Sequence, residues 1–400
     1  MLSTAQIVSG IGTAVGFSLS SLVVAQLSGS VTISGLAGTA TVLGAALLAL
    51  PTARTSGKGG RRAGLALAYG CALLGCVITV AAITVRSWPL LLGGLVLFGS
   101  ASAGSLASRY SATDLSPPGH TARHLSWVVW AATIGSVAGP NLAEPAERLG
   151  RSLGLAPDTG PFALSLVAFA VALVVILAGL RPDPLLVARS LRPETPTEDK
   201  GGNGTLRTAW QALRQEPTAT RALAAIAVSH TAMVSIMSMT PVHLGHGGAS
   251  YSVIGIVLSL HIAGMYILSP VVGWLADRIG RVRVLVLGMA LLLAAAVLAG
   301  GAGPHDVARV TTGLTLLGLG WSCGLISGSA MLSEAVRLEH RPAVQGMSDL
   351  LMNVCGALGA VLAGVVVGTL SYGVLGAIVA VMVTVTGAWL ALRPAHLASA

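Results

Sequence analysis

GWLADRIGRVRVLVLG, residues 273–288, decides how this chain is to be read. Long apolar runs lie on both sides, so Asp277, Arg278 and Arg281 fall in a short turn between two membrane-length segments. Gly273 permits a close turn. Asp277 is placed to accept hydrogen bonds near a helix N-terminus, where the macrodipole favours an anion. Arg278 and Arg281 can pair with it or with a neighbouring helix. The set reads as a latch that holds packed helices in one state and releases them in another. The plainer reading is a charged membrane border with a glycine turn.

The rest of the chain supports membrane residence. Hydrophobic residues make up 54% and charged residues 9%, with a mean hydropathy of +0.82. A soluble domain carries roughly 25% charged residues, so this chain lacks the polar surface to be one. Its 400 residues have room for about twelve spans of roughly 20 residues each. The apolar runs predict spans near 4–26, 31–50, 63–85, 88–108, 124–143 and 161–180, then 222–243, 251–273, 283–300, 308–332, 345–370 and 373–392. The first run lacks a cleavage site and reads as a true span. Fifty-one glycines suit helices that pack closely in lipid. The polar stretch 182–220, with RPETPTEDKGGNG inside it, predicts a linker between bundles at 1–181 and 221–400.

A net charge of +9 does not point to nucleic acid, because the basic residues sit in short loops. Arg54, Lys58, Arg61, Arg62, Arg109, Arg123, Arg278, Arg281, Arg283, Arg337 and Arg341 fall on one side with the linker. Arg86, Arg148, Arg151 and Arg309 fall on the other. The positive-inside rule then puts both termini in the cytoplasm. Cys71, Cys76, Cys323 and Cys355 all lie in predicted helices, with neither a disulfide framework nor a zinc spacing. They read as packing residues, with a relay for a soft ion as the alternative.

Stretch 273–288 resembles the signature loop of the major facilitator superfamily, Gly-x-Leu-Ala-Asp-Arg-x-Gly-Arg-Arg. Gly273, Leu275, Ala276, Asp277, Arg278, Gly280 and Arg281 match, and Val282 departs from it. TSGKGGRR at 55–62 resembles a degraded copy, in which Gly57 stands where the acid would be. TIGSVAGPNLAEP at 133–145 resembles part of the antiporter motif through Gly135, Gly139 and Pro140, without the glycine pair that follows. Read as structure alone, Gly135 and Gly139 make a packing face and Pro140 a kink. The resemblance implies an all-α membrane protein of twelve transmembrane helices in two pseudo-symmetric six-helix bundles. It also implies alternating access around a midplane site between the halves, in a transporter rather than an enzyme.

Charge within the spans is sparse, and an intramembrane carboxylate is a functional candidate by default. Glu144 lies near the outer end of the fifth span. Asp349 and Asn353 lie four apart near the inner end of the eleventh. They either line the pathway and handle protons, or join neighbouring helices. No span has a central arginine or lysine, which argues against polyanionic substrates.

Soft side chains gather in the seventh and eighth spans. His230, Met233 and Met237 share one helical stripe, and Met239 points away from it. His261 and Met265 lie four apart on the next span. Thioether sulfur and imidazole suit copper(I), and a histidine can also carry a proton. The structural alternative is methionine as core filler and histidine as an interhelical bond. Met233 with Met237, and His261 with Met265, resemble the paired motifs of CcoA-type bacterial copper importers. That resemblance implies copper as the transported substrate, with no resident cofactor. His230, on the stripe of Met233 and Met237, is a secondary candidate, for protons. The alternatives are proton-coupled transport of a small organic molecule such as a drug or riboflavin, and a copper-sensing receptor that transports nothing. The expected protein is a monomer in the bacterial inner membrane.

Overall fold

Two glycines in equivalent places set the frame. Gly60 and Gly280 have φ of +85° and +100°, a region that only glycine enters without strain. Each ends one helix and lets an arginine, Arg61 or Arg281, open the next. The degraded loop at 55–62 therefore keeps the backbone of the intact one although it has lost the acid.

The computed structural model describes residues 1–191 and 205–392; RPETPTEDKGGNG at 192–204 lies outside the described residues, as does the side chain of Pro140. Among the described residues every regular element is a helix. In order they are α1 (Leu2–Ser28), α2 (Val31–Ser34), α3 (Leu36–Gly59), α4 (Arg61–Thr84), α5 (Trp88–Phe98), α6 (Ser100–Ser111), α7 (Thr121–Ser152), α8 (Gly160–Gly179) and α9 (Pro184–Leu191). They continue as α10 (Thr205–Gln215), α11 (Pro217–His246), α12 (Tyr251–Tyr266), α13 (Ser269–Ile279), α14 (Arg281–Gly300), α15 (Val307–Ala335), α16 (Arg341–Thr369) and α17 (Tyr372–Leu392). Eleven segments among them are long and apolar enough to cross a membrane, with α5 joined to α6, α8 to α9 and α12 to α13. The less apolar α7, 32 residues long, brings the long helical segments to the expected twelve.

Two expectations needed adjustment. The fifth span runs to Ser152 rather than stopping near 143. AEPAERLGRS prolongs it because Arg151 donates to Glu147 one turn back at 2.8 Å. The Glu147 carboxylate also accepts from the backbone N–H groups of Asp158 and Gly160, fastening the turn into α8. The stretch 182–220 is not a bare linker, since its described parts form α9 and α10. Asp183 starts α9 by accepting from the N–H groups of Leu185 and Leu186, with Pro184 in the favoured first position.

The chain forms two compact units. One comprises Met1–Leu115, Ala131–Ala212 and Arg337–Asn353; the other comprises Ser116–Trp130, Leu213–Val336 and Val354–Ala400. Each sequence half thus lends one segment to the unit built mainly from the other. In the first unit, Phe98 meets Phe162 and Phe169 edge to face, with ring centroids 6.3 and 5.4 Å apart. Gly135 and Gly139 bring α7 against α1, where a Cβ would run into Gly10 and Ala14. The first turns of α16 join this unit on α3, with Gly346 against Ala53. In the second unit α15 is the central helix, buried on almost every side. The first turns of α7 join that unit on α13, with Gly273 against Ser126.

Candidate functional site

The latch residues come together in the second unit. The Asp277 carboxylate accepts from the backbone N–H of Ala122 at 3.2 Å and of Arg123 at 2.9 Å. It therefore caps the N-terminus of α7, where orphan N–H groups and the helix dipole both favour an anion. Arg281 holds Asp277 at 2.8 Å and Glu334, at the end of α15, at 2.6 Å. Arg278 takes no part in this pairing; it lies over the Trp274 ring at 5.0 Å. The pairing arginine is thus Arg281.

The first unit repeats the arrangement with different parts. Arg61 grips Asp114, just beyond α6, by two hydrogen bonds of 2.7 and 2.9 Å. This matches Arg281 with Glu334. Where Asp277 caps α7, the first unit has Gly57 and no carboxylate. Arg61 reaches instead to the Gln345 side-chain oxygen on α16 at 2.7 Å. Asp183 lies against Gly60 and accepts from the N–H of Arg62, while Arg189 donates to the Gly57 carbonyl.

One feature was not legible beforehand. Arg109 on α6 pairs with Asp349 on α16 at 2.8 Å, and the side chains are only 2% and 4% exposed. The Arg109 guanidinium lies over the Tyr110 ring at 4.5 Å, and the Tyr110 hydroxyl donates to Ser348. Sequence reasoning placed Arg109 among the loop charges because it stands two residues before the end of its helix. This pair joins α16 to α6, and Asn353 donates to the Asp349 carbonyl one turn back. Glu144 lies on the exposed surface beside Arg148.

The soft residues are arranged by α15. Met233, His261 and Met265 are buried, and Met237 is half-buried. The two predicted pairs occupy α11 and α12, which each pack on α15 far more than on one another. His261 turns to α15, where its Nδ1 meets the Leu314 carbonyl at 2.8 Å. A carbonyl only accepts, so Nδ1 carries the proton and Nε2 presents a lone pair. Nε2 is buried with no hydrogen-bond partner. Among the described residues no three His, Cys, Asp or Glu side chains gather as metal ligands. Cys76 and Cys323 are buried and Cys71 and Cys355 half-buried, all four as free thiols.

His230 also faces α15. Its Nδ1 accepts from the Trp321 indole N–H at 3.1 Å, and its ring lies 6.3 Å from the Trp321 ring. Tyr266 meets Trp321 nearly edge-on, with ring centroids 5.8 Å apart. This ring group was missed because its members lie on three helices, and only tertiary packing unites them.

Comparison with known proteins agrees with this architecture. The Major Facilitator Superfamily model matches residues 2–248 and 222–400. A Bacillus subtilis (strain 168) protein named as uncharacterized MFS-type transporter YdeG is 35% identical over 372 residues, covering 93% of this chain and 86% of the relative. Riboflavin transporter RfnT of Brucella anthropi is 28% identical over 361 residues, covering 88% and 84%. Among solved structures, the human organic anion transporter MFSD10 superposes with a TM-score of 0.77 over 97% of both chains at 16% identity.

Proposed function

The chain belongs to the major facilitator superfamily, and we propose that it carries a small organic molecule across the inner membrane of a bacterium by alternating access. It is a multi-pass membrane transporter and not an enzyme. The observation that carries the reading is the repeated fastening. Gly60–Arg61–Asp114 and Gly280–Arg281–Glu334 hold equivalent places, and each reaches the first turns of a helix from the other sequence half. Such links hold one state by contacts that a second state gives up. The loops that carry them are the basic ones, which assigns them, with both termini, to the cytoplasm. The monomer suffices, because both halves of the motif lie on one chain.

Riboflavin is the first substrate to test, on the likeness to RfnT. Protons are the coupling ion in this reading, with Asp349 as their carrier, since protonation would weaken its hold on Arg109. Purified protein in liposomes is expected to accumulate labelled riboflavin when an imposed proton gradient favours entry. Equal uptake with the gradient collapsed would remove the coupling, and no protein-dependent uptake would remove riboflavin.

Copper import is the second reading, with the CcoA-type resemblance behind it. The Nε2 lone pair of His261, buried and one turn from Met265, favours it. The packing of α11 and α12 through α15 weighs against one four-ligand site of Met233, Met237, His261 and Met265. The same liposomes loaded with a copper(I) indicator separate the cases. Copper entry lost in both Met233→Ala and His261→Ala supports import, and saturable binding without entry supports sensing.

A further inference from the structure

We infer that α9 is a part of the cytoplasmic gate: Asp183 and Arg189 are positioning residues that splint the degraded loop at 55–62 to the start of α16, in place of the acid that loop has lost. This goes beyond the alternating-access reading above and rests on it.

The two halves keep one spacing. Arg61 and Arg281, Asp114 and Glu334, Gly57 and Asp277, and Ala122 and Pro342 each stand 220 residues apart. In the second unit Asp277 fastens its loop to the start of α7, accepting from the N–H groups of Ala122 and Arg123. In the first unit both sides of that contact are gone. Gly57 has no carboxylate. Pro342, which a Cβ on Gly57 would meet at 3.7 Å, has no N–H to offer.

The link comes instead from α9. The Asp183 carboxylate divides its two oxygens. Oδ1 accepts from the N–H groups of Leu185 and Leu186 and caps α9 itself. Oδ2 accepts from the N–H of Arg62 at 2.7 Å, an orphan donor in the first turn of α4. Arg189 donates to the Gly57 carbonyl at 2.9 Å, in the last turn of α3. An anion thus meets a helix start and a cation meets a helix end, as both dipoles favour. Arg189 also feels the charges of Arg61 and Asp114, so α9 lies beside the pair that fastens this unit. Its apolar side completes the splint, because Leu185 and Ala188 are buried with Leu338, three residues before α16 begins. One helix therefore joins the loop to the approach to α16, where the second unit needs only Asp277.

Gly60 bears the mark of this docking. A Cβ there would strike the Asp183 carboxylate, whereas the equivalent Gly280 has nothing within 4 Å. The first turn is shaped round an acid from the linker.

Asparagine separates the two jobs of Asp183. It keeps one oxygen for the cap of α9 and sets an NH2 against the Arg62 N–H, so Asp183→Asn unfastens the loop without unfolding the helix. Arg189→Met removes the second tie and keeps the apolar stem. In the full-length double variant in detergent, amide exchange over residues 343–348 is expected to rise about fivefold or more, as for a lost cap, with 162–176 in α8 unchanged. Riboflavin uptake in liposomes should fall severalfold. Adding Gly57→Asp and Pro342→Ala rebuilds the contact of the second unit directly. Protection of 343–348 and uptake should then both return while the ties of α9 stay cut, which a role in local folding alone does not predict. Leu338→Ala breaks the splint at its other end and carries the exchange test if the double variant fails to fold. Unchanged exchange over 343–348, or restored protection without restored uptake, would overturn the proposal. The exchange result needs no substrate, so a wild-type protein that takes up no riboflavin removes that substrate alone.

Discussion

Arg109 and Asp349 form a buried ion pair of 2.8 Å between α6 and α16, residues 240 apart in sequence. Neither side chain has water to fall back on. A pair of this kind adds little compared with apolar residues, but breaking it leaves an uncompensated charge. Arg109→Ala is therefore expected to cost about 3–5 kcal/mol. Arg109→Met combined with Asp349→Leu should be closer to wild type than either single change. Thermal unfolding in detergent reads this, and a double variant as unstable as Arg109→Ala would refute it.

Asp277 caps the first turn of α7, and a cap of this kind contributes about 0.5–2 kcal/mol. Asp277→Asn should raise amide hydrogen exchange over residues 121–126 while leaving 160–179 unchanged. Uniform exchange across both segments would show that the carboxylate does not hold the turn.

Gly273 lies where a Cβ would meet Ser126, whereas Gly255 has nothing within 4 Å. Gly273→Ala is expected to abolish most uptake in liposomes and Gly255→Ala to leave it intact. Similar rates for the two variants would contradict the close approach of α13 to α7.

Arg61 donates from Nε and Nη2 to one carboxylate. Lysine has a point charge without that fork. Arg61→Lys should lower the melting temperature nearly as far as Arg61→Ala, and Gln345→Ala should lower it by less. Full rescue by lysine would mean that charge alone matters.

Much of the helical order was legible because apolar runs of membrane length leave the backbone one main solution in lipid: every N–H and C=O bonded within its own helix. The glycine turn was legible only in part: the loop was placed, but Gly280 makes the turn, while Gly273 lies inside α13 against Ser126. The ends of helices were less so. Glu147 extends α7 through bonds to Arg151 and to the start of α8, and no apolar periodicity announces that.

The loop at 273–288 and the run of membrane-length apolar segments are local properties, so the sequence alone determined the class of fold, the repeat between halves and the role of Asp277 as an anion near a helix start. Which groups meet across helices is not local. Arg281 rather than Arg278 pairs with Asp277, because the turn at Gly280 sets the first residue of α14 back against the end of α13, while Arg278 lies over Trp274. Arg109 leaves the loop charges for Asp349, and His230 and His261 both turn to α15 rather than to each other's helix. A stripe of residues on a helix names a face, and only the packing of neighbouring helices decides what that face touches.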